Sequence, residues 1–135
     1  MSGLVLKLGP HERIMINGVV MENGDRRARL NVLTPDAKVL RLRDAIHPEE
    51  VNTPVRRVCY IAQMVLAGEA DPDEAARQLA RGIEQLAQVF QDEASREHLD
   101  AASLALAERR FYQAMRALRG LLPREARLLS YRHAS

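Results

Sequence analysis

Apolar and polar side chains alternate through most of the first 50 residues, which is the pattern of β-strands with one buried face. Leu4, Leu6 and Leu8 take every second position before the break GPHE, and Ile14 and Ile16 do so after it. The stretches with a strand pattern lie at residues 4–8, 14–16, 19–21, 27–32 and 39–43. We therefore expect a small antiparallel β lobe of four or five short strands over residues 1–50.

Two Asn-Gly dipeptides, Asn17-Gly18 and Asn23-Gly24, interrupt this lobe. Asn-Gly favours a type I′ hairpin turn because both central residues of that turn need a positive φ. The dipeptides are too close together for both to close long hairpins, so we expect one of them to form a bulge or a short kink. The turn TPDA at 34–37 then leads into the last strand.

The apolar period changes to 3.6 residues after HPEEVNTP, which predicts a helical lobe over residues 51–135. Thr53 and Pro54 supply the N-cap and the first residue of its first helix, and Gly68 can end that helix. The helix is apolar nearly all round, so we expect more than one of its sides to be buried.

The rest of the helical lobe predicts two or three further helices. The second starts at Asp71, whose side chain can cap it. The third starts near Asp92 or Ser95 and continues to Gly120, and a short helix is expected at 124–132. The fold class is therefore α+β, with a small antiparallel β lobe followed by an α-helical lobe of three to four helices.

Charge is distributed unevenly along the helical lobe, although the net charge of the chain is only +2. Residues 69–100 carry nine acids against three bases, and residues 101–135 carry seven arginines against two glutamates. The second stretch includes Arg109, Arg110, Arg116 and Arg119. These side chains either contact an anion such as RNA or pair with the acidic helix at 71–91, and the sequence leaves both alternatives open.

Motifs for catalysis or for a tightly bound cofactor are absent from the sequence. GxSxG, GxGxxG and the phosphate-binding GxxxxGK[ST] do not occur. The histidines lack a second ligand at helical spacing, so no metal site is expected; they are His11, His47, His98 and His133. Cys59 lies in the apolar first helix, where a packed thiol is the expected role. We predict a protein that is not an enzyme and has no cofactor.

Cationic side chains alternate with apolar ones on three of the predicted strands. They are Lys7, Arg27, Arg29, Arg41 and Arg43. Antiparallel sheets routinely keep one face polar, so solvation alone is one interpretation of this pattern. The alternative is a patch of four or five cations that binds a phosphate backbone.

Three segments, LVLKLGPHERIMINGVVMENGDRRARLNV, VLRLRDAI and TPVRRVCYIAQMVL, resemble the FlbT family of bacterial flagellum-biosynthesis repressors. The resemblance extends over nearly the whole chain and is tightest over residues 4–68. It implies a cytoplasmic post-transcriptional regulator that binds the 5′ untranslated leader of flagellin messenger RNA and promotes degradation of that message.

The β lobe is also similar, in the order and spacing of its motifs, to the carbon-storage regulator CsrA, a strand-swapped dimer that binds messenger leaders. That resemblance implies RNA contacts by Arg43, in RLRDAI, and by Lys7 on the first strand. The large helical lobe at 53–135 departs from the CsrA pattern. We expect Arg43 and Arg41 to contact RNA, with Lys7, Arg27 and Arg29 completing the surface.

Partners and location follow from the small size of the β lobe and from the chain's composition. A 50-residue sheet buries little by itself, so it must pack on the helices or pair with a second copy of the chain, and we expect a homodimer. The alternative function is a protein-interaction module in which the helical lobe binds flagellin or another flagellar regulator. No apolar run approaches the roughly 20 residues that span a membrane. With a single cysteine and no signal peptide at MSGLVLKLGPHE, we expect a cytoplasmic protein.

Overall fold

The computed structural model describes residues 4–35 and 37–134 and has the α+β fold that the sequence predicts. Its strands are β1 (Leu4–Leu8), β2 (Arg13–Ile16), β3 (Val19–Glu22), β4 (Ala28–Val32) and β5 (Val39–Arg41). Its helices are α1 (Pro54–Leu66), α2 (Pro72–Val89), α3 (Glu93–Ala107), α4 (Phe111–Arg119) and α5 (Leu122–Ala134). Asp36, in the predicted turn TPDA, lies outside the described residues.

The strands form two small antiparallel sheets, in which β1 pairs with β4 and β2 lies between β3 and β5. Asn17 and Gly18 have φ values of 50° and 82° between β2 and β3, so this Asn-Gly closes a hairpin. Asn23 instead donates from its side-chain amide to the carbonyl oxygens of Gly9 and Arg26, at 2.7 and 2.9 Å. The second Asn-Gly therefore holds a loop rather than closing a hairpin.

Polar N-caps begin three of the helices where the sequence predicts them. The side chains of Thr53, Asp71 and Asp92 each accept a hydrogen bond from the backbone N–H three residues further on, at 3.3, 3.0 and 3.2 Å respectively. Gly68 ends α1 with φ at 80°, in the left-handed conformation that glycine adopts without steric cost.

The prediction of one continuous third helix is wrong, because two helices, α3 and α4, occupy that part of the chain. Arg109 interrupts it with a left-handed φ of 59°. The N–H groups of Arg109 and Arg110 donate to the carbonyls of Leu106 and Ala105, at 2.9 and 2.8 Å, which is the Schellman ending of a helix. Neither glycine nor proline marks this break, and the described residues form five helices rather than three to four.

One hydrophobic core joins the two lobes, with α1 at its centre. As predicted, α1 is buried on more than one side, because it packs against α2, α4, α5 and β5. The buried Gln63 fixes the connection between the lobes. Its carboxamide accepts from the N–H of Ile46 at 2.7 Å and donates to the carbonyl oxygen of Ile46 at 3.0 Å. None of the described helices is long and apolar enough to cross a membrane.

Candidate nucleic-acid interface

The ribbon formed by β1 and β4 presents a basic face to solvent. Leu6 points from this ribbon into the core, whereas the neighbouring Lys7 is exposed. Lys7 lies directly opposite Arg29 in the antiparallel register, and Arg29 is exposed as well. Arg27 is exposed immediately before β4. The structure thus brings together Lys7, Arg27 and Arg29, which we call the basic face.

The basic face holds like charges against each other. Residues directly opposite on an antiparallel pair have Cβ atoms about 5 Å apart, and two cations in that arrangement destabilise the sheet. In residues 4–35 and 37–134, no carboxylate lies within 4.0 Å of Lys7, Arg27 or Arg29. The fold therefore leaves this repulsion uncompensated, and an external anion would relieve it.

Arg41 is not exposed beside Arg43, and this part of the sequence prediction is wrong. The Arg41 side chain is only 7% exposed. Its Nε and Nη2 atoms donate to Glu12 at 2.6 and 2.7 Å, and Nη2 also donates to the carbonyl oxygen of Lys7 at 2.7 Å. Alternation fails because β5 is only three residues long and all three are buried. The chain then enters a 3-10 turn at Leu42, so Arg43 does not lie on a strand.

Glu12 organises the corner where β1 approaches the end of β5. Hydrogen bonds from Arg41 hold the pKa of Glu12 at about 2, well below its ordinary value, although burial opposes this effect. The backbone N–H of Gly9 also donates to Glu12, at 3.0 Å. Arg43 Nε lies 3.7 Å from Glu12 Oε2, but the Arg43 side chain stays 59% exposed. Arg43 thus remains accessible next to the strand that carries Lys7.

Comparison with known proteins identifies the family. A family model described as flagellar protein FlbT matches residues 4–129, which include both lobes. The chain belongs to the FlbT family. A probable flagellum biosynthesis repressor protein FlbT from Allorhizobium ampelinum is 33% identical over 129 residues, covering 96% of this chain and 85% of the relative. The flagellum biosynthesis repressor protein FlbT of Caulobacter vibrioides is 30% identical over 128 residues, covering 95% and 90%. No solved structure gives a significant match.

In this FlbT-family chain, most of the helical arginines considered above have carboxylate partners. The pairs are Arg109 with Asp73 at 3.5 Å, Arg110 with Glu108 at 3.0 Å and Arg119 with Asp44 at 4.0 Å. Only the first of these joins the basic stretch to the acidic helix α2. Arg116 is exposed, with no carboxylate within 4.0 Å in the described part of the chain.

Cys59 is fully buried in α1, as the sequence predicts for a packed thiol. Burial raises the pKa of the Cys59 thiol to about 12, so the thiol stays protonated at neutral pH and is a poor nucleophile. Within the described ranges, no three His, Cys, Asp or Glu side chains gather as the ligands of a metal ion would.

Glu12 was not identified from the sequence, although the Glu12 carboxylate determines which of Arg41 and Arg43 is exposed to a ligand. The stretch GPHE indicates only a break between strands, and nothing in the sequence spacing relates Glu12 to Arg41, which lies 29 positions later. The available signal is chemical: Glu12 is the one acid in residues 1–21, and it stands among basic strands. A buried arginine needs such a partner, because an unpaired buried charge is costly.

Proposed function

We propose that this chain is a post-transcriptional repressor of flagellin synthesis that binds the 5′ untranslated leader of flagellin messenger RNA and promotes its degradation. Its relatives are named flagellum biosynthesis repressors, which supports a repressor role in flagellar regulation. The observation that carries RNA binding is the Lys7–Arg29 pair, two exposed cations held opposite each other with no carboxylate of the described residues within 4.0 Å. A phosphate group between them replaces repulsion with two charge-assisted contacts.

Most of the affinity for RNA would come from contacts with its phosphate backbone, and the preference for the leader would come from arginine planes that stack on its bases. The first 50 residues contain no Phe, Tyr or Trp, so this lobe lacks the large aromatic rings on which single-stranded bases usually stack. Arginine planes can stack on bases and bind phosphate through two donors, and the exposed arginines of this lobe include Arg27, Arg29 and Arg43. Degradation of the message is then the work of a nuclease that acts on the repressed message, and this chain supplies binding.

A binding assay with a flagellin leader RNA tests the proposal. The purified protein should bind the leader more tightly than a scrambled RNA of equal length. Lys7→Ala combined with Arg29→Ala should weaken binding by roughly tenfold or more, because two phosphate contacts are lost. The control is Arg96→Ala with Arg127→Ala, which removes two exposed helical charges and should leave binding unchanged. Equal affinity for both RNAs, or equal loss in both variants, would contradict the proposal.

We also propose that the repressor is a homodimer joined along β3. This strand is the outer edge of its sheet, and its hydrophobic side chains Val19, Val20 and Met21 are 58%, 55% and 40% exposed. An exposed apolar edge strand promotes association, and two copies of one strand can pair antiparallel about a two-fold axis. Such a dimer offers two basic faces to a single RNA molecule.

A further inference from the structure

A groove opens on the helical lobe where α1, α2 and α5 meet, away from the basic face. Its volume is about 650 Å³. The apolar side chains that line it include Val58, Ile61, Leu86, Val89, Leu128 and Leu129. Val89 is 65% exposed and Leu128 is 39% exposed, so the groove is an open cleft rather than a closed cavity. This apolar surface is left uncovered by the described chain.

Both sides of the groove are held in place by specific contacts. A Cβ atom on Gly82 would lie 2.9 Å from Val58 Cγ2, so α1 and α2 approach each other closely at the floor. On the other side, the buried Glu125 of α5 accepts a hydrogen bond from the N–H of Val55 at 2.8 Å. Since this bond satisfies a backbone N–H in the first turn of α1, it anchors the start of α5 there. The groove is therefore preformed, which lowers the entropic cost of binding.

The rim of the groove is positively charged. Arg57 on α1 and Arg81 on α2 are exposed and line the groove. Among the described residues, neither guanidinium has a carboxylate within 4.0 Å or a side-chain hydrogen bond. Glu125, the one acid that lines the groove, is engaged with Val55. A ligand that complements this surface is apolar in its centre and negative at its edge.

We propose that this groove binds an amphipathic helix of a partner protein, with acidic residues beside its apolar stripe. The apolar stripe packs between α2 and α5, and the Asp or Glu side chains pair with Arg57 and Arg81. Open grooves between helices suit side chains spaced i, i+3, i+4 and i+7. A small molecule would need most of its surface buried, and the exposure of Val89 and Leu128 does not provide that. The proposal does not depend on RNA binding.

Two synthetic helical peptides with one shared Leu/Ile stripe test this proposal on the full-length protein. One peptide carries Glu on both sides of the stripe and the other carries Lys. Fluorescence anisotropy should show that the Glu peptide binds roughly tenfold more tightly. Arg57→Glu with Arg81→Glu should reverse that preference. The control, Arg96→Glu with Arg116→Glu, changes the net charge equally at exposed sites outside the groove and should keep it.

Val89→Asp separates groove binding from general charge attraction. Val89 is mostly exposed, so the variant should fold, as circular dichroism will check. The variant should no longer bind the Glu peptide, because the substitution places a carboxylate in the apolar lining of the groove. Three results would overturn the proposal: no binding of either peptide, equal binding of both, or a preference that the two rim substitutions leave intact. Binding of poly-U RNA that is lost on the rim substitutions but not on Val89→Asp would instead assign the groove to nucleic acid.

Discussion

At Arg41, two hydrogen bonds to one carboxylate fix the guanidinium in a buried corner, whereas Arg43, two residues further on, keeps most of its side chain in solvent. The two arginines look equivalent in the sequence. Their different environments follow from the end of β5 at Arg41 and from Glu12 below it. Arg41 supports the lobe, and Arg43 is available to a ligand.

Arg41→Met should lower the free energy of unfolding by about 3 kcal/mol, because it leaves the Glu12 carboxylate buried without its partner. Arg43→Ala should change it by less than about 0.5 kcal/mol, since its side chain is mostly exposed. Urea unfolding followed by circular dichroism measures both. Equal losses in the two variants would contradict the assignment of a structural role to Arg41 alone.

The lowered pKa of Glu12 predicts a dependence of stability on pH. The carboxyl titrates near 4.5 when the chain is unfolded and at about 2 when it is folded. Its contribution is therefore complete above about pH 4.5 and is lost as the pH falls toward 2. Glu12→Gln should be less stable than the wild type at pH 7, and the difference should shrink over that window. Unfolding curves at a series of pH values test this, and a constant difference would contradict it.

At the scale of elements, local chemistry predicted most of the fold. Caps at Thr53, Asp71 and Asp92 and the turn at Asn17-Gly18 appear where short-range hydrogen bonding demands them. The break after α3 could not be predicted, because its left-handed residue is arginine and the contacts that hold it are formed only in the folded chain. The burial of all of β5 could not be predicted either, since packing against α1 overrides the alternation of apolar and basic residues in the sequence.

The left-handed Arg109 gives a direct test at this scale. Arg109→Gly should be more stable than Arg109→Ala by about 1 kcal/mol, because a Cβ atom is unfavourable at a φ of 59°. Both variants lose the contact with Asp73, so the comparison isolates the backbone. Thermal unfolding of the pair measures the difference. Equal stability would show that the left-handed turn imposes no strain.

The outer edge of β3 predicts the oligomeric state. Val20→Lys should convert a dimer into a monomer, because it places a charge in the middle of the proposed strand pairing. Leu104→Lys alters an apolar residue on α3 that is even more exposed than Val20, and it should leave the dimer intact. Light scattering coupled to gel filtration gives the mass. A wild-type monomer at all concentrations, or a dimer that persists in Val20→Lys, would contradict the proposed interface.

At the scale of the whole molecule, two candidate binding surfaces lie at different places on one hydrophobic core. The basic face lies on the β1–β4 ribbon, and the groove lies between helices on the other lobe. Family membership supports the repressor role. In the two proposals made above, the basic face binds RNA and the groove binds a protein helix, so the chain would bind both partners together. The sequence predicted the basic face because charges alternate visibly along a strand. It could not predict the groove, whose lining residues come from three helices and look like ordinary core positions.

The salt dependence of leader RNA binding tests the central proposal most directly. Each contact with a phosphate of a single strand contributes about −0.7 to the slope of log affinity against log salt concentration. Four cations, Lys7, Arg27, Arg29 and Arg43, predict a slope near −3 for each copy of the chain, and Lys7→Ala with Arg29→Ala should halve it, to about −1.4. A slope that the double variant leaves unchanged would show that RNA does not bind the basic face.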